Sequence, residues 1–336
     1  MIHIQQDVFL RSYNTFGIPA IASVFVESDD ADELADFLRS LSDPSAAFVL
    51  GGGSNVLLVS ERYDVVVCPV MKGIELMDET DEHVWVRAGA GETWDDFVNW
   101  CVKHDYAGVE NLSHIPGTVG ACPIQNIGAY GMEAKETIET VETIEKDTGQ
   151  PAIFNNYQCL FDYRDSFFKR NKGKYLITAV RFRLSKRFEP CLKYADLQTE
   201  LSRNATNVTL KDIRQAIVNV RSRKLPHPAE LGNAGSFFKN PTIDAEKSKE
   251  ISQIFPQASL YPASCGYWKI SAAWLIQQCG WKDVRHGNVG TYAQQPLVIV
   301  NYGGANGGEI LNFARKIIDS VNEKFGIGLD MEVNIV

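Results

Sequence analysis

Arg164 stands between two acids in Phe161-Asp162-Tyr163-Arg164-Asp165-Ser166. A guanidinium so placed commonly forms a surface ion pair. Its other use is to clamp a carboxylate or a developing enolate with a planar fork of N–H donors. Asn233-Ala234-Gly235-Ser236-Phe237-Phe238-Lys239-Asn240-Pro241 is the richest short run of the second half. There Ser236 either caps a turn or, with the Phe-Phe pair, Lys239 and Asn240, walls a substrate pocket. The G-x-S-x-G spacing of a hydrolase elbow is missing, which removes an esterase. Arg221-Ser222-Arg223-Lys224 ends a helical pattern, where cations suit the dipole; the same positive charge could meet a diphosphate. Glu332, beside Val333 and Ile335, has the lone exposed carboxylate as its ordinary reading. The six histidines show no metal spacing and none of the seven cysteines forms C-x-x-C, so neither a metal site nor a disulfide framework is expected.

Backbone chemistry is concentrated earlier. Gly51-Gly52-Gly53-Ser54-Asn55 follows a strand and lets N–H groups approach an anion. It is not a P-loop, since no Gly-Lys-Ser/Thr follows. Nor is it a Rossmann fingerprint: Val56 takes the third glycine position and no helical pattern comes next. A tight turn and a pyrophosphate site explain it equally well. Gly89-Ala90-Gly91-Glu92 is weaker, and Pro116-Gly117-Thr118-Val119-Gly120 continues to Ile124-Gln125-Asn126-Ile127-Gly128-Ala129-Tyr130-Gly131. Three such segments between Gly51 and Gly131 suggest one extended ligand lying on exposed backbone, as a dinucleotide such as FAD requires.

The elements that must hold these residues alternate. Ile21–Glu27, Val56–Val59, Val65–Val70, Val84–Ala88, Ile138–Glu145 and Tyr175–Leu184 read as strands. Helices are predicted at 29–41, from Thr93, at 209–220, at 270–279 before Gly280 and at 310–325 before Gly326. Ser113–Gly131 has no period and reads as an ordered, packed loop. A break is placed between Leu184 and Tyr194, and strands again at Leu297–Asn301 and Met331–Val336. The chain has 336 residues, 45% apolar and 22% charged, which suits a globular protein of two or three domains. Its 33 basic and 42 acidic residues leave a net charge of −9, which argues against a nucleic-acid partner. No apolar run is long enough to span a membrane and no secretory leader is visible, so a reduced, cytoplasmic protein is expected.

Asn14-Thr15-Phe16-Gly17, Gly51–Leu57, Gly89–Trp94, Ile115–Gly131, Tyr163–Lys169, Arg221–Pro226, Asn233–Pro241 and Leu275–Cys279, taken in order, resemble the UDP-N-acetylenolpyruvoylglucosamine reductase family. The likeness runs from about Ser12 to Glu332. It implies an α+β protein: a two-lobed FAD-binding domain of the vanillyl-alcohol-oxidase (PCMH) type, with lobes at 1–66 and 67–188, then an α+β substrate domain at 189–336. The activity implied is NADPH-dependent, FAD-mediated reduction of UDP-N-acetylglucosamine enolpyruvate to UDP-N-acetylmuramate, a peptidoglycan precursor. Noncovalent FAD would lie on Gly51, Gly52, Gly53, Ser54, Asn55, Gly117, Gly120, Gln125, Ile127 and Gly128. Ser236 would be the proton donor, Arg164 the clamp and Glu332 the partnering acid. Tyr194, Lys224 and Asn240 would hold the UDP-sugar, Tyr194 in a loop resembling that of the type I branch. A monomer is expected, with no nucleic-acid partner and no membrane insertion. The family often carries Arg two residues after the acid, where this chain has Asn334, and Cys122 stands among small residues of the flavin loop. The rivals are an FAD oxidase on the same flavin domain, which does not require the Ser236–Asn240 run, and a noncatalytic nucleotide sensor. Histidine for covalent flavin is missing from the first glycine loop, and His83 is the next to follow.

Overall fold

The computed structural model describes residues 1–201 and 208–336, and contacts gather them into two compact units. The first comprises Met1–Phe9, Ile21–Gly53 and Arg62–Arg223; the second comprises Leu10–Ala20, Ser54–Glu61 and Lys224–Val336.

Among its described residues the first unit holds two larger sheets and the short antiparallel pair Gly128–Ala129 and Met132–Glu133. One runs in the order His3–Phe9, Ile21–Ser28, Arg62–Pro69, Phe48–Val49, antiparallel at its first pair and parallel thereafter. The lobe boundary expected at 66/67 falls inside the Arg62–Pro69 strand. Helix α1 (Ala31–Ser40) begins where the Asp30 carboxylate accepts the N–H groups of Asp32 and Glu33, a cap worth about 1 kcal/mol. Its apolar face lays Leu34 and Leu38 on Val26 and Val67. The other sheet is antiparallel, in the order Pro151–Asn155, Ile138–Glu145, Tyr175–Ser185, His83–Gly89, Ile74–Glu79. Helix α2 (Trp94–Lys103) packs Trp94 and Phe97 on Phe182, with the Phe97 and Phe182 rings 4.6 Å apart. Helices α3 (Phe167–Arg170), α4 (Ala195–Leu201) and α5 (Leu210–Lys224) follow. Except for Lys224, α4 and α5 belong to this unit although the sequence expectation assigned them to the C-terminal domain. The physical reason is apolar: Leu197, Leu201, Ile213 and Ile217 cluster with Tyr130, Phe188 and Leu192.

Lys146, just past the Ile138–Glu145 strand, is fully buried, and its Nζ donates to the carbonyls of Ser45 at 3.0 Å and Ala47 at 2.6 Å. Burial pushes its ammonium down to about 8, against smaller upward pulls from Asp147 and Asp43. Between pH 8 and the ordinary 10.5 the folded chain therefore binds fewer protons here than the unfolded chain. Linkage makes this contribution rise with pH across that window. Urea unfolding between pH 7.5 and 10.5 should give Lys146→Met a shallower rise of stability with pH than the wild type.

The second unit is built on a sheet ordered Gly232–Ser236, Gln295–Asn301, Val289–Tyr292, Arg285–His286, with helices α6 (Ala245–Ile254), α7 (Ala272–Gln278) and α8 (Gly307–Phe325). Helix α8 opens with a reciprocal Asn306–Glu309 capping box and stops at Gly326, which is left-handed at φ 63°. Asn14 closes its own turn through Leu10 O, Ile18 O and Ile18 N. That turn then docks here: Thr15 O accepts from Asn233 N and Phe16 O from Asn301 Nδ2. The predicted Met331–Val336 strand is shorter than expected, with Asn334–Ile335 pairing in parallel with Val56–Leu57 and Met331 bridging Phe238. Among the described residues no helix is long and apolar enough to cross a membrane.

Candidate active site

In the first unit the loop after Leu112 lies along the start of α2. Trp94 N donates to Gly117 O at 3.0 Å, Val119 N to Glu92 O at 2.9 Å and Gly120 N to Ala90 O at 2.9 Å. Trp94 Nε1 holds Leu112 O at 2.9 Å. A Cβ on Gly51 would sit 2.8 Å from Thr118 Oγ1, and one on Gly52 would sit 2.9 Å from Gly117 Cα. Real Cβ atoms do not tolerate such distances, so Gly51 lies against the Thr118 side chain and Gly52 against the Gly117 backbone. A Cβ on Gly120 would meet that of Ala90 at 2.7 Å, which brings in the third segment. Part of the glycine pattern therefore serves the protein's own packing.

The remainder of the loop is fastened from below. Asn126, buried at φ 45°, donates to Glu133 Oε2 and Asp162 O and accepts from Lys135 N. Ser166 Oγ donates to Ile124 O at 2.7 Å. Arg164, itself left-handed at φ 53°, donates from Nη2 to Gly128 O at 2.5 Å. Its neighbour Asp165 pairs with Arg170 at 2.7 Å, so the arginine is built against the loop at Gly128. Ile127 is buried, and Gln125 and Gly128 are half-buried. Cys122 packs in the core beneath, and burial pushes its thiol well up. Half-exposed Tyr194 meets Tyr130 edge to face at 5.7 Å. Asn111 Nδ2 binds Tyr130 O at 2.8 Å and Cys191 O at 3.0 Å, holding the approach to Tyr194 on the loop's end. Arg221 donates from Nε to His114 O at 3.0 Å. Burial lowers its guanidinium from the ordinary value; Tyr130 and Asp95 oppose that and Arg164 adds to it.

The second unit assembles a different set. The Gly232–Ser236 strand bulges between Asn233 and Ser236, where Gly235 takes φ 68° and donates to Asn233 Oδ1 at 2.9 Å. After the bulge Ser236 pairs with Val298, and its neighbour Phe237 accepts from Glu332 N at 2.8 Å. Ser236 and Glu332 thus lie on adjacent stretches of chain. Asn55 Nδ2 reaches Glu332 O at 3.4 Å, and Asn334 donates to Asn55 O from both N and Nδ2 at 3.1 Å. Asn334 therefore anchors the C-terminal strand. Asn240 Oδ1 accepts from Ala272 N at 2.9 Å at the head of α7, and Lys224 ends α5. The Gly51–Asn55 motif divides, with Gly51–Gly53 in the first unit and Ser54–Asn55 in the second.

A cavity of about 440 Å³ in the first unit is lined by Asp29, Lys72, Arg87 and Glu142 and includes none of the sequence-predicted site residues. The sequence reading missed Ser166, the buried role of Asn126 and the Asn55–Asn334 contact. Only Asn126 carried a local signal, as a polar residue inside a glycine-bearing run.

Residues 22–151 match the family model of an FAD binding domain, and residues 227–336 match that of the UDP-N-acetylenolpyruvoylglucosamine reductase C-terminal domain. A UDP-N-acetylenolpyruvoylglucosamine reductase of Flavobacterium johnsoniae is 42% identical over 338 residues, covering 100% of both chains. One from Amoebophilus asiaticus is 44% identical over 336 residues, covering 99% of each. The crystal structure of the Thermus caldophilus UDP-N-acetylenolpyruvylglucosamine reductase superposes with a TM-score of 0.70 at 22% identity, over 100% of this chain and 99% of that one, and so shares its α+β fold.

Proposed function

Because the chain belongs to the UDP-N-acetylenolpyruvoylglucosamine reductase family, we propose that the loop Pro116–Gly131 with Gly51–Asn55 receives FAD, and that Arg164, Ser236 and Glu332 act on the substrate. The enzyme is an FAD-dependent oxidoreductase that uses NADPH to reduce UDP-N-acetylglucosamine enolpyruvate to UDP-N-acetylmuramate in peptidoglycan precursor synthesis. Full-length identity to reductases of that name is the observation that carries this conclusion.

The residues present fit the cofactor. A diphosphate-bearing dinucleotide needs backbone unobstructed by side chains, which Gly51, Gly52 and Gly117 would offer, Gly117 at φ 120° in a region that favours glycine. Gly120, Gln125, Ile127 and Gly128 would extend that surface, and Ser54 and Asn55 continue the glycine run in sequence. His83 stands at the other end of its strand, about 20 Å from Gly89, which supports noncovalent binding. Bound there, FAD would supply the hydride chemistry that links NADPH to C3 of the enolpyruvyl group.

The protein's part is polarisation and proton delivery. Negative charge arriving on the substrate carboxylate needs preorganised donors, and Arg164 supplies a guanidinium held in place through Gly128. Glu332 would complete that polarisation beside Ser236. The Ser236 hydroxyl gives its proton to C2, where the carbanion-like enolate is basic enough to take it. The bulge at Gly235 sets the direction in which Ser236 leaves its strand. Tyr194, Lys224 and Asn240 would grip the UDP-sugar, Lys224 by charge at the C-terminus of α5. Seven cysteines, none in a disulfide, support a cytoplasmic setting. We also propose that one chain suffices for activity.

Two measurements test this reading. NADPH oxidation by the FAD-loaded protein should depend on UDP-N-acetylglucosamine enolpyruvate; no acceleration by that substrate would sink the function. Gly52→Ala should weaken FAD binding by about 5- to 150-fold in a fluorescence titration, since its Cβ meets the Gly117 backbone and overpacking of this kind costs about 1–3 kcal/mol.

A further inference from the structure

His114 heads the flavin loop, two residues before Pro116, in the left-handed region at φ 61°. Few residues other than glycine remain there unless their surroundings fix them. Its backbone is held on both sides. Its N–H donates to Asp95 Oδ1 at 2.5 Å, and its carbonyl accepts from Arg221 Nε at 3.0 Å. Asp95, in the first turn of α2, is gripped in turn by both arms of Arg214, Nη1 on Oδ1 at 2.6 Å and Nη2 on Oδ2 at 2.8 Å. Burial pushes the Asp95 carboxyl up, but Arg214 and the His114 N–H outweigh it and hold it below the ordinary carboxylate range. Arg214 and Arg221 lie about two turns apart on one face of α5.

We propose that Arg214 and Arg221 are positioning residues for the flavin loop, acting through Asp95 and His114 to hold the chain entering Pro116–Gly131 in the shape that binds FAD. This rests on the reading of that loop as the FAD site. The geometry supports a clamp over an ordinary surface pair. The Asp95–Arg214 fork is bidentate and partly buried, with side-chain exposures of 27% and 17%. One of the same carboxylate oxygens also holds the strained residue. Directly downstream, Gly117 O is fixed by Trp94 N, next to Asp95 in α2.

The test uses Arg214→Gln with and without His114→Gly, in the full-length protein, read by FAD titration and by the visible spectrum of the bound flavin. Arg214→Gln should weaken FAD about tenfold, the scale of a lost constraint on one left-handed residue. Adding His114→Gly should recover most of that loss, because glycine adopts this backbone region without strain. Arg214→Lys, which keeps charge but not the fork, should lose less and show the same rescue; it stands in if the glutamine variant does not fold. Wild-type FAD affinity in Arg214→Gln, or a loss that His114→Gly does not relieve, overturns the proposal. A wild-type protein that binds no FAD would overturn the underlying cofactor reading instead.

Discussion

Replacing Ser236 with alanine is expected to leave reduction of the enzyme by NADPH intact and to slow product formation by about 10²–10⁴-fold, the usual worth of a positioned general acid. The two half-reactions separate because the hydroxyl is needed only when a proton must reach C2. Structure around Ser236 should survive the change. Its strand register is set by backbone pairing with Val298 and by the Asn233–Gly235 bulge. Phe237 and Phe238 remain buried, with Phe237 packed on Phe16. Stopped-flow absorbance of the flavin, first with NADPH alone and then with the enolpyruvyl substrate, resolves the steps. Unimpaired reoxidation by substrate would remove Ser236 from the role of proton donor.

Local physics made some of this readable in advance. α1 and α8 carry apolar residues at helical spacing, and α8 stops at Gly326 as the sequence anticipated, there in the left-handed conformation. The glycine runs stood out because three of them fall between Gly51 and Gly131, whereas the roles expected of Ser236 and Arg164 came from the family resemblance, since each also had an ordinary local reading. What escaped notice depends on contacts distant in sequence. Asn55 and Asn334 meet across 279 residues, Asp95 and Arg214 across 119; nothing local marks either pair. The transfer of Leu10–Ala20 and Ser54–Glu61 to the second unit is invisible for the same reason, because backbone bonds such as Asn233 N to Thr15 O leave no period in the sequence. The His3–Phe9 strand was missed because it is an edge strand with little burial and so shows no alternation. Glycines posed a further ambiguity: close backbone packing and ligand binding select the same residue. Close approaches such as Gly52 to Gly117 and Gly120 to Ala90 reveal that the protein itself accounts for part of the pattern.

Arg164→Lys is the second large effect, and it divides into two parts. One arm of the guanidinium already holds Gly128 O at 2.5 Å. The planar group carries five donors in all, in a fork that suits a carboxylate. Lysine keeps the charge but not the fork, so it cannot serve both partners in fixed geometry. Turnover at saturating FAD should fall by about 10²–10³-fold, the cost of losing one preorganised donor to a developing anion. FAD affinity should fall much less, because Ser166 and Asn126 still fasten the same loop at Ile124 and Asp162. Reduction by NADPH at saturating FAD should remain near wild type, since the arginine is assigned to the substrate anion. If excess FAD restored full turnover, Arg164 would be a support for the flavin loop and not the clamp on the substrate.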